Sequence, residues 1–261
     1  FGRIGRAFLK LSLNEPNLEV IAINDLGDID MLSYLLQYDS VYKTSPMVCE
    51  NEIVSDSEKY LVITRVDVEG NEKVNRIRVI SEKDSNNYPW GDLRVDIVVE
   101  STGLFTNYEK AQIHIDRGAK RVVISAPAKG DGSIKGETIL MRVNDDKILD
   151  VNITSNASCT TNASSPLIAI LDESLGIQKA ILNTVHGYTA SQALVDGPSK
   201  KDKREGRAAA LNIVPTSTGA AIAVTKVFTQ LENKFDGISI RVPVTAGSIV
   251  ARSRQDTGFH E

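Results

Sequence analysis

Strand-like and helix-like segments alternate along this chain of 261 residues, and that alternation restricts its fold more than any other feature. Apolar runs such as "RVDIVVES" (94–101), "AKRVVISAP" (119–127) and "KAILNTVHGY" (179–188) are separated by segments with helical periodicity, among them "DIDMLSYLLQYD" (28–39) and "NYEKAQIHIDRG" (107–118). Apolar strands that alternate with helices are typical of parallel sheets covered on both faces. The sequence therefore predicts an α/β fold whose first half is a doubly wound parallel sheet, with a domain boundary near Cys159.

Two further patterns refine this fold. The segment "YLVITRVDVEGNEKVNRIRVIS" (60–81) alternates apolar and polar residues on both sides of "EGN", which predicts a β-hairpin. The segment "GAAIAVTKVFTQLEN" (219–233) predicts one helix, and "ISIRVPV" (238–244) predicts a strand.

Composition excludes several classes of protein. Hydrophobic residues make up 41% of the chain, charged residues 25%, and the net charge is -4, as in soluble globular proteins. No apolar run approaches the roughly 18 residues that span a bilayer, and no secretory signal is expected at the start. The pI near 5.5 argues against nucleic-acid binding as the main role. Two dissimilar cysteines indicate a reducing compartment rather than a disulfide framework.

The opening "FGRIGR" suggests a nucleotide site. Gly2 and Gly5 occupy the places of the second and third glycines of a G-x-G-x-x-G turn, and Asp25 ends the next strand about 20 residues on, where a ribose-binding acid belongs. The alternatives are a helix-packing glycine pair and a helix-capping aspartate. We favour the nucleotide interpretation, in which residues 1–158 form a Rossmann domain.

The segment "SNASCTTN" (155–162) places Cys159 where a strand ends and a helix begins. A helix N-terminus stabilises a thiolate, and its free N–H groups can hold an oxyanion. A small buried cysteine among capping hydroxyls is the alternative. Of the three histidines, His114 is expected on the surface of a helix, and His260 lies in a segment without pattern. His186 ends a strand, so it can reach Cys159 as a base.

Several motifs together resemble one family. They occur in the family's order, cover about residues 1 to 250, and are "FGRIGR", "AIND", "YDSVY", "VVESTG", "RVVISAP", "SNASCTTN", "TVHGYT", "RAAALNIVPTSTGAA" and "RVP". On these motifs the chain resembles the phosphorylating glyceraldehyde-3-phosphate dehydrogenases. The resemblance implies a cytoplasmic, NAD-dependent glycolytic enzyme, with a Rossmann domain at 1–158 and an α+β catalytic domain with a mixed sheet at 159–261. It also implies a homotetramer with the loop 189–212 at a subunit contact.

The resemblance implies roles for individual residues. Cys159 would be the nucleophile and His186 the base. The residues implied for inorganic phosphate are Ser158, Thr160, Thr218 and Gly219. The residues implied for the substrate's 3-phosphate are Thr189 and Arg241, with Arg204 close to both phosphates. The residues implied for NAD are Gly2, Arg3, Ile4, Gly5, Asn24, Asp25, Lys83, Thr102, Gly103 and Ser125. No metal is expected.

The implied reaction joins these parts. The Cys159 thiolate adds to glyceraldehyde 3-phosphate, oxidation leaves a thioester, and inorganic phosphate releases 1,3-bisphosphoglycerate. Asp25 would repel the 2′-phosphate of NADP, and Pro198 offers no N–H to bind one. Alternatives are an erythrose-4-phosphate dehydrogenase and a non-catalytic NAD-binding relative.

The chain also departs from the family pattern. Ala163 replaces a common second cysteine, and Lys83 stands where arginine is usual. The strand before "FGRIGR" and the family's C-terminal portion are missing, so we expect a truncated chain. The tail "ARSRQDTGFHE" (251–261) shows no strand alternation and does not resemble the family, so we expect a truncated or frame-shifted sequence.

Overall fold

Two units make up the part of the chain that the computed structural model describes, residues 1–199 and 202–255. The first contains Phe1–Ser125 and Lys129–Gly136, and the second contains Ala126–Ala128 and the chain from Glu137 onward. The domain division between residues 158 and 159 stays a prediction.

The first unit contains three helices and eight strands among its described residues. In chain order these are α1 (Arg3–Ser12), β1 (Ala22–Asn24), α2 (Ile29–Gln37), β2 (Tyr38–Asp39), β3 (Lys43–Thr44), β4 (Val48–Ser55), β5 (Glu58–Val66), β6 (Glu72–Ile80), β7 (Ile97–Glu100), α3 (Tyr108–Asp116) and β8 (Arg121–Ile124). Strand β1 pairs in parallel with β6, and β7 pairs in parallel with β8. Strands β5 and β6 form the predicted hairpin, and β4 pairs antiparallel with β5.

Local sequence signals explain where these helices begin. The Asp28 carboxylate accepts hydrogen bonds from the N–H groups of Asp30 and Met31, and the Asn107 side chain accepts one from Lys110. Such caps satisfy donors that have no partner within the helix. The core between helices and sheet includes Leu36 and Leu61, which are fully buried. Burial of each such side chain contributes about 1.5–3 kcal/mol.

The second unit contains a mixed sheet covered by helices. Its elements in chain order are β9 (Gly136–Thr138), at which the chain passes into this unit, β10 (Ile153–Ser155), α4 (Cys159–Leu175), β11 (Lys179–Gly187), β12 (Val214–Ser217), α5 (Ala220–Val227), β13 (Phe235–Val242) and β14 (Ser248–Gln255). The sheet order is β12-β13-β11-β14, in which β11 and β13 are parallel and the other pairs are antiparallel. The predicted α/β fold class is therefore confirmed.

Burial alternates along β11 in the second unit. Leu182 and Thr184 are buried, whereas Ile181 and Val185 on the other face are about 40% exposed. Leu182 joins Ile168 of α4 in one core cluster. Successive strand residues point to opposite faces, so the side chain of His186 shares the buried, helix-covered face with Leu182 and Thr184.

Two expectations about this unit were wrong. The tail after Val250 was not expected to form a strand, because it lacks strand alternation, but β14 continues to Gln255 and pairs antiparallel with β11 over residues 179–186. Backbone hydrogen bonds to β11 stabilise a polar strand that has no apolar alternation of its own. The helix predicted for 219–233 ends at Val227, and a short 3-10 turn follows at Thr229–Leu231. His260 and the rest of 256–261 lie outside the described residues, as do Lys200 and Lys201 of the predicted subunit-contact loop.

Candidate active site

Cys159 is the first residue of α4. Ser158 caps this helix: its Oγ accepts a hydrogen bond from Thr161 N at 3.0 Å and lies 2.8 Å from Thr161 Oγ1. The first turn contains no acidic residue. The partial positive charge at the helix N-terminus is therefore available to an anion at the sulfur position.

The turn before Cys159 is held in an uncommon conformation. Ala157 has φ +52°, a left-handed conformation that costs a non-glycine residue about 1–2 kcal/mol. The buried Ser155 hydroxyl compensates, because it donates to Ala126 O at 2.8 Å and accepts from the N–H groups of Ala128 and Ala157. The amide of Asn162 donates to the carbonyl oxygens of Asn156 and Ser158 from the other side. Strain at one residue is thus held by a surrounding hydrogen-bond network.

His186 lies one residue before the end of β11. Its Nε2 is 3.2 Å from Cys159 Sγ, and its Nδ1 is 2.7 Å from the carbonyl oxygen of Gly187. A carbonyl only accepts, so Nδ1 carries the hydrogen and donates. In the neutral ring Nε2 is then left with a lone pair facing the thiol. The structure therefore brings together the two residues predicted as nucleophile and base, and the cysteine is exposed to solvent.

Arg241 lies beside this pair. It is the register partner of His186 between the parallel strands β11 and β13, so the two side chains leave the same face of the sheet. Its Nε is buried and has no hydrogen-bond partner among the described residues. An unpaired buried donor on a cation is costly, and an anionic ligand would satisfy it.

The predicted residues for inorganic phosphate lie at the N-termini of α4 and α5. Thr160 is buried, with its Oγ1 4.0 Å from Cys159 Sγ. Gly219 is the N-cap of α5 and makes no side-chain cap, and a Cβ placed on it would meet nothing within 4 Å. Thr218 Oγ1 accepts from Ala220 N at 3.2 Å. This helix N-terminus is therefore open to a ligand.

Thr189 and Arg204 have local partners. The Thr189 hydroxyl lies 3.0 Å from Ser191 Oγ. The Arg204 guanidinium binds Asp202, with Nη2 2.6 Å from Oδ2, and this contact lowers the pKa of Asp202 to about 2. The contacts of the described residues do not join Arg204 to Thr189 or Arg241. The nearness of Arg204 to both phosphates stays a prediction.

In the first unit, the N-terminus of α1 fits a pyrophosphate. Gly2 is the N-cap, and no side chain caps the helix there. A Cβ placed on Gly2 would meet nothing within 4 Å. The N–H groups of Arg3 and Ile4, in the first turn, have no acceptor within the helix. A Cβ on Gly5 would lie 3.2 Å from Ser101 Oγ, so glycine permits the close approach of helix to strand end.

The acid predicted to bind ribose follows β1. Asp25 Oδ1 accepts a hydrogen bond from Gly27 N at 2.7 Å. The cap of α2 is Asp28 instead, which argues against the alternative of a capping role for Asp25. Asn24 exchanges two hydrogen bonds with the backbone of Glu82, at 2.9 and 3.0 Å, and thereby holds the loop that carries the exposed Lys83.

The remaining predicted NAD residues lie where β7 and β8 end. Ser125 N donates to Glu100 O at 2.9 Å. Thr102 is exposed, and both its N–H and its hydroxyl donate to Glu100 Oε1. Gly103 has φ +77°, a conformation that favours glycine.

His114 is buried, so its predicted place on the surface was wrong. It is 2% exposed and contacts Trp90 and Glu100. Its position three residues after the buried Ala111 was a signal in the sequence, because residues at this spacing are neighbours on a helix surface. Neither Trp90 nor Glu100 was singled out from the sequence, since nothing local links them to His114.

Comparison with known proteins agrees with this geometry. The family model for the NAD binding domain of glyceraldehyde 3-phosphate dehydrogenase matches residues 1–108, and the model for its C-terminal domain matches residues 158–255. Glyceraldehyde-3-phosphate dehydrogenase 1 of Kluyveromyces lactis is 44% identical over 254 residues, which cover 96% of this chain and 70% of the relative. Glyceraldehyde-3-phosphate dehydrogenase of Mycobacterium tuberculosis is 47% identical over 256 residues, covering 95% and 70%.

The matches to an NAD binding domain in the first unit and to a C-terminal domain in the second show that the chain is an NAD-dependent oxidoreductase. More narrowly, the chain belongs to the glyceraldehyde-3-phosphate dehydrogenase family, as its motifs predicted. NAD is its cofactor, and its substrates are small molecules of glycolysis. The match reaches residue 255, so the resemblance extends further than the predicted limit near 250. Within residues 1–199 and 202–255, the helices are too short or too polar to cross a membrane.

Proposed function

We propose that this chain oxidises and phosphorylates glyceraldehyde 3-phosphate to 1,3-bisphosphoglycerate through a thioester on Cys159. The observation that carries the proposal is the 3.2 Å separation of Cys159 Sγ and His186 Nε2 at the N-terminus of α4. A nucleophile, an oriented base and free backbone donors are the parts that acyl transfer through cysteine requires.

In the first step the thiol proton moves to His186 Nε2 and Cys159 Sγ attacks the aldehyde carbon. The developing oxyanion is stabilised by the N–H groups at the start of α4, and it takes the proton back from the imidazolium. The hydrogen bond from Nδ1 to Gly187 O keeps Nε2 directed at the sulfur throughout. The product of this step is a hemithioacetal on Cys159.

NAD, when bound, supplies the hydride acceptor for the oxidation of this adduct to the thioester. The contribution of the protein is to hold the cofactor and to accept the hydroxyl proton at His186 Nε2. The open N-terminus of α1 would bind the pyrophosphate, Asp25 the adenosine ribose, and the loop of Lys83 the adenine side. Thr102, Gly103 and Ser125 would make further contacts from the strand ends. We infer a preference for NAD over NADP from the charge of Asp25 and from Pro198.

In the last step inorganic phosphate attacks the thioester carbonyl carbon. The carbon–sulfur bond breaks, Cys159 leaves as a thiolate, and the acyl phosphate is released. The donors proposed to hold the attacking phosphate are those of Ser158, Thr160, Thr218 and Gly219. Thr189 and Arg241 would bind the substrate's own phosphate, with Arg204 close to both phosphates, and the unpaired Nε of Arg241 supports its assignment. We also propose a homotetramer in the cytoplasm, with the loop 189–212 at a subunit contact.

The test is a spectrophotometric assay of NAD reduction by the purified chain. We expect activity with glyceraldehyde 3-phosphate that rises with inorganic phosphate, and a loss of about 10⁴-fold or more in Cys159→Ser, because the nucleophile is removed. Erythrose 4-phosphate serves as the competing substrate, and Ala163→Ser as the control for a nearby exposed position on the same helix. A higher kcat/KM for erythrose 4-phosphate, or an active Cys159→Ser variant, would contradict the proposal.

A further inference from the structure

A buried row of polar side chains lies within the first unit. Trp90, Glu100 and His114 are 6%, 5% and 2% exposed. Trp90 Nε1 lies 3.1 Å from His114 Nδ1, and His114 Nε2 lies 3.2 Å from Glu100 Oε2. The ring of Tyr88 stacks on the imidazole with centroids 5.5 Å apart. The polar groups are therefore enclosed, and each is paired with its neighbour.

The hydrogen positions in this row follow from its chemistry. An indole N–H can only donate, so His114 Nδ1 must accept. The imidazole is then neutral, its hydrogen is on Nε2, and that nitrogen donates to Glu100. Burial acts to raise the pKa of Glu100, but the hydrogen bonds from His114 and Thr102 outweigh it and leave the pKa below its usual value. The row thus has a single direction, from indole to imidazole to carboxylate.

The second carboxylate oxygen of Glu100 holds the turn that follows β7. It accepts from Thr102 N at 2.6 Å and from the Thr102 hydroxyl, which itself accepts from Leu104 N at 3.0 Å. Gly103 lies between these residues at φ +77°. Thr102 and Gly103 are exposed. The turn is therefore fixed from inside the unit and presents its outer side to solvent.

We propose that Trp90, His114 and Glu100 are positioning residues for NAD, which keep the turn of Thr102 and Gly103 in its cofactor-binding shape. The inference rests on the NAD contact of this turn proposed above. These three side chains act through the turn, because they are enclosed in the first unit. Hydrogen bonds that arrange a binding loop before the ligand arrives lower the cost of ordering it on binding.

The substitution Glu100→Gln tests the direction of the row. If the glutamine oxygen accepts from Thr102, its amide group faces the hydrogen on His114 Nε2. Two donors would then face each other. If the hydrogen moves to His114 Nδ1 instead, it faces the indole N–H of Trp90, which is also a donor. We therefore expect the Kd for NAD to rise about tenfold, equivalent to about 1.4 kcal/mol. Glu72→Gln, at an exposed strand position, is the matched control and should leave the Kd unchanged.

The substitution Trp90→Phe removes the opposing indole N–H. His114 can then carry its hydrogen on Nδ1 and accept from the glutamine amide through Nε2. We expect the double variant Glu100→Gln, Trp90→Phe to bind NAD within about twofold of Trp90→Phe alone, a rescue that lost packing would not produce. Because Trp90 is the only tryptophan, binding is measured by isothermal titration calorimetry rather than by fluorescence. The titrations are made without aldehyde, so the role of Cys159 does not affect them.

The outcomes separate this proposal from the proposed function. An unchanged Kd in Glu100→Gln, or a double variant that binds about tenfold more weakly than Trp90→Phe, overturns the positioning role. If Glu100→Gln does not fold, the comparison of the double variant with Trp90→Phe alone still tests the positioning role. Gly103→Ala alters the turn itself at a positive φ. If Gly103→Ala binds NAD more weakly and Glu100→Gln binds it normally, only the positioning role is overturned. If the Kd of Gly103→Ala for NAD is unchanged, the NAD contact of the turn is overturned, and the positioning role with it.

Discussion

The N-termini of α1 and α4 belong to different units and prepare their donors in opposite ways. At α1 the cap is Gly2, which makes no side-chain hydrogen bond and leaves the space beyond it open. At α4 the Ser158 hydroxyl caps the N–H of Thr161, and the Asn162 amide and the Ser155 hydroxyl hold the turn before Cys159. Donors must stay free to bind a diffusible anion, whereas a reactive side chain must be held by contacts already made.

Among changes that keep the nucleophile, the largest effect should come from removing the oriented base beside the α4 turn. In His186→Asn the group that takes the thiol proton is lost, so thioester formation should slow about 10²- to 10³-fold. The Kd for NAD should stay within about twofold, since the α1 end is untouched. The measurement is a stopped-flow burst of NADH without inorganic phosphate. A normal burst rate would show that the 3.2 Å contact has no catalytic role.

A smaller effect is expected at the N-terminus of α1. In Gly2→Ala the φ of -75° suits alanine, and the added Cβ meets nothing, so the free energy of unfolding should change by less than about 1 kcal/mol. The methyl group would occupy the space in which a pyrophosphate approaches the N–H groups. The Kd for NAD, measured by calorimetry, should therefore rise about tenfold, or about 1.4 kcal/mol. Undiminished NAD affinity would mean that α1 does not bind the cofactor in this way.

The smallest effect is a loss of stability at the N-terminus of α4. Ser158→Ala removes the cap of α4 and should lower the free energy of unfolding by about 1 kcal/mol in a urea titration. Ser158→Thr keeps the hydroxyl and serves as the control. Ser158→Ala leaves the N–H of Thr161 without its acceptor, whereas Gly2→Ala removes no hydrogen bond. Ser158→Ala should therefore destabilise the chain more than Gly2→Ala does. The reverse order would remove the distinction between the two helix ends.

Much of this arrangement could be predicted from sequence where one local pattern carried the signal. The position of Cys159 at a helix start and of His186 at a strand end both follow from short segments, "SNASCTTN" and "KAILNTVH". Parallel β11 and β13 then bring His186 and Arg241 to the same level of the sheet. The family motifs added the cofactor and the identity of the family.

What could not be predicted depends on partners that are distant in the chain. The partners of the buried His114 are Trp90 and Glu100, which lie 24 and 14 residues away in the chain. Strand β14 contains polar residues at most positions and is stabilised by its pairing with β11. A capping role for Asp25 was an open alternative in the sequence, and only the geometry of the first turn of α2, which Asp28 caps, argues against it.

The register of β11 and β13 has a consequence for how this chain can vary. Arg241 shares a face with His186 because eight consecutive residue pairs, from Ala180↔Phe235 to Gly187↔Val242, are in step. Loss or gain of one residue between Phe235 and Arg241 would turn the guanidinium to the opposite face of the sheet. This strand should therefore accept many replacements of side chain but no change of length, and related sequences should place their insertions in the loops on either side of it.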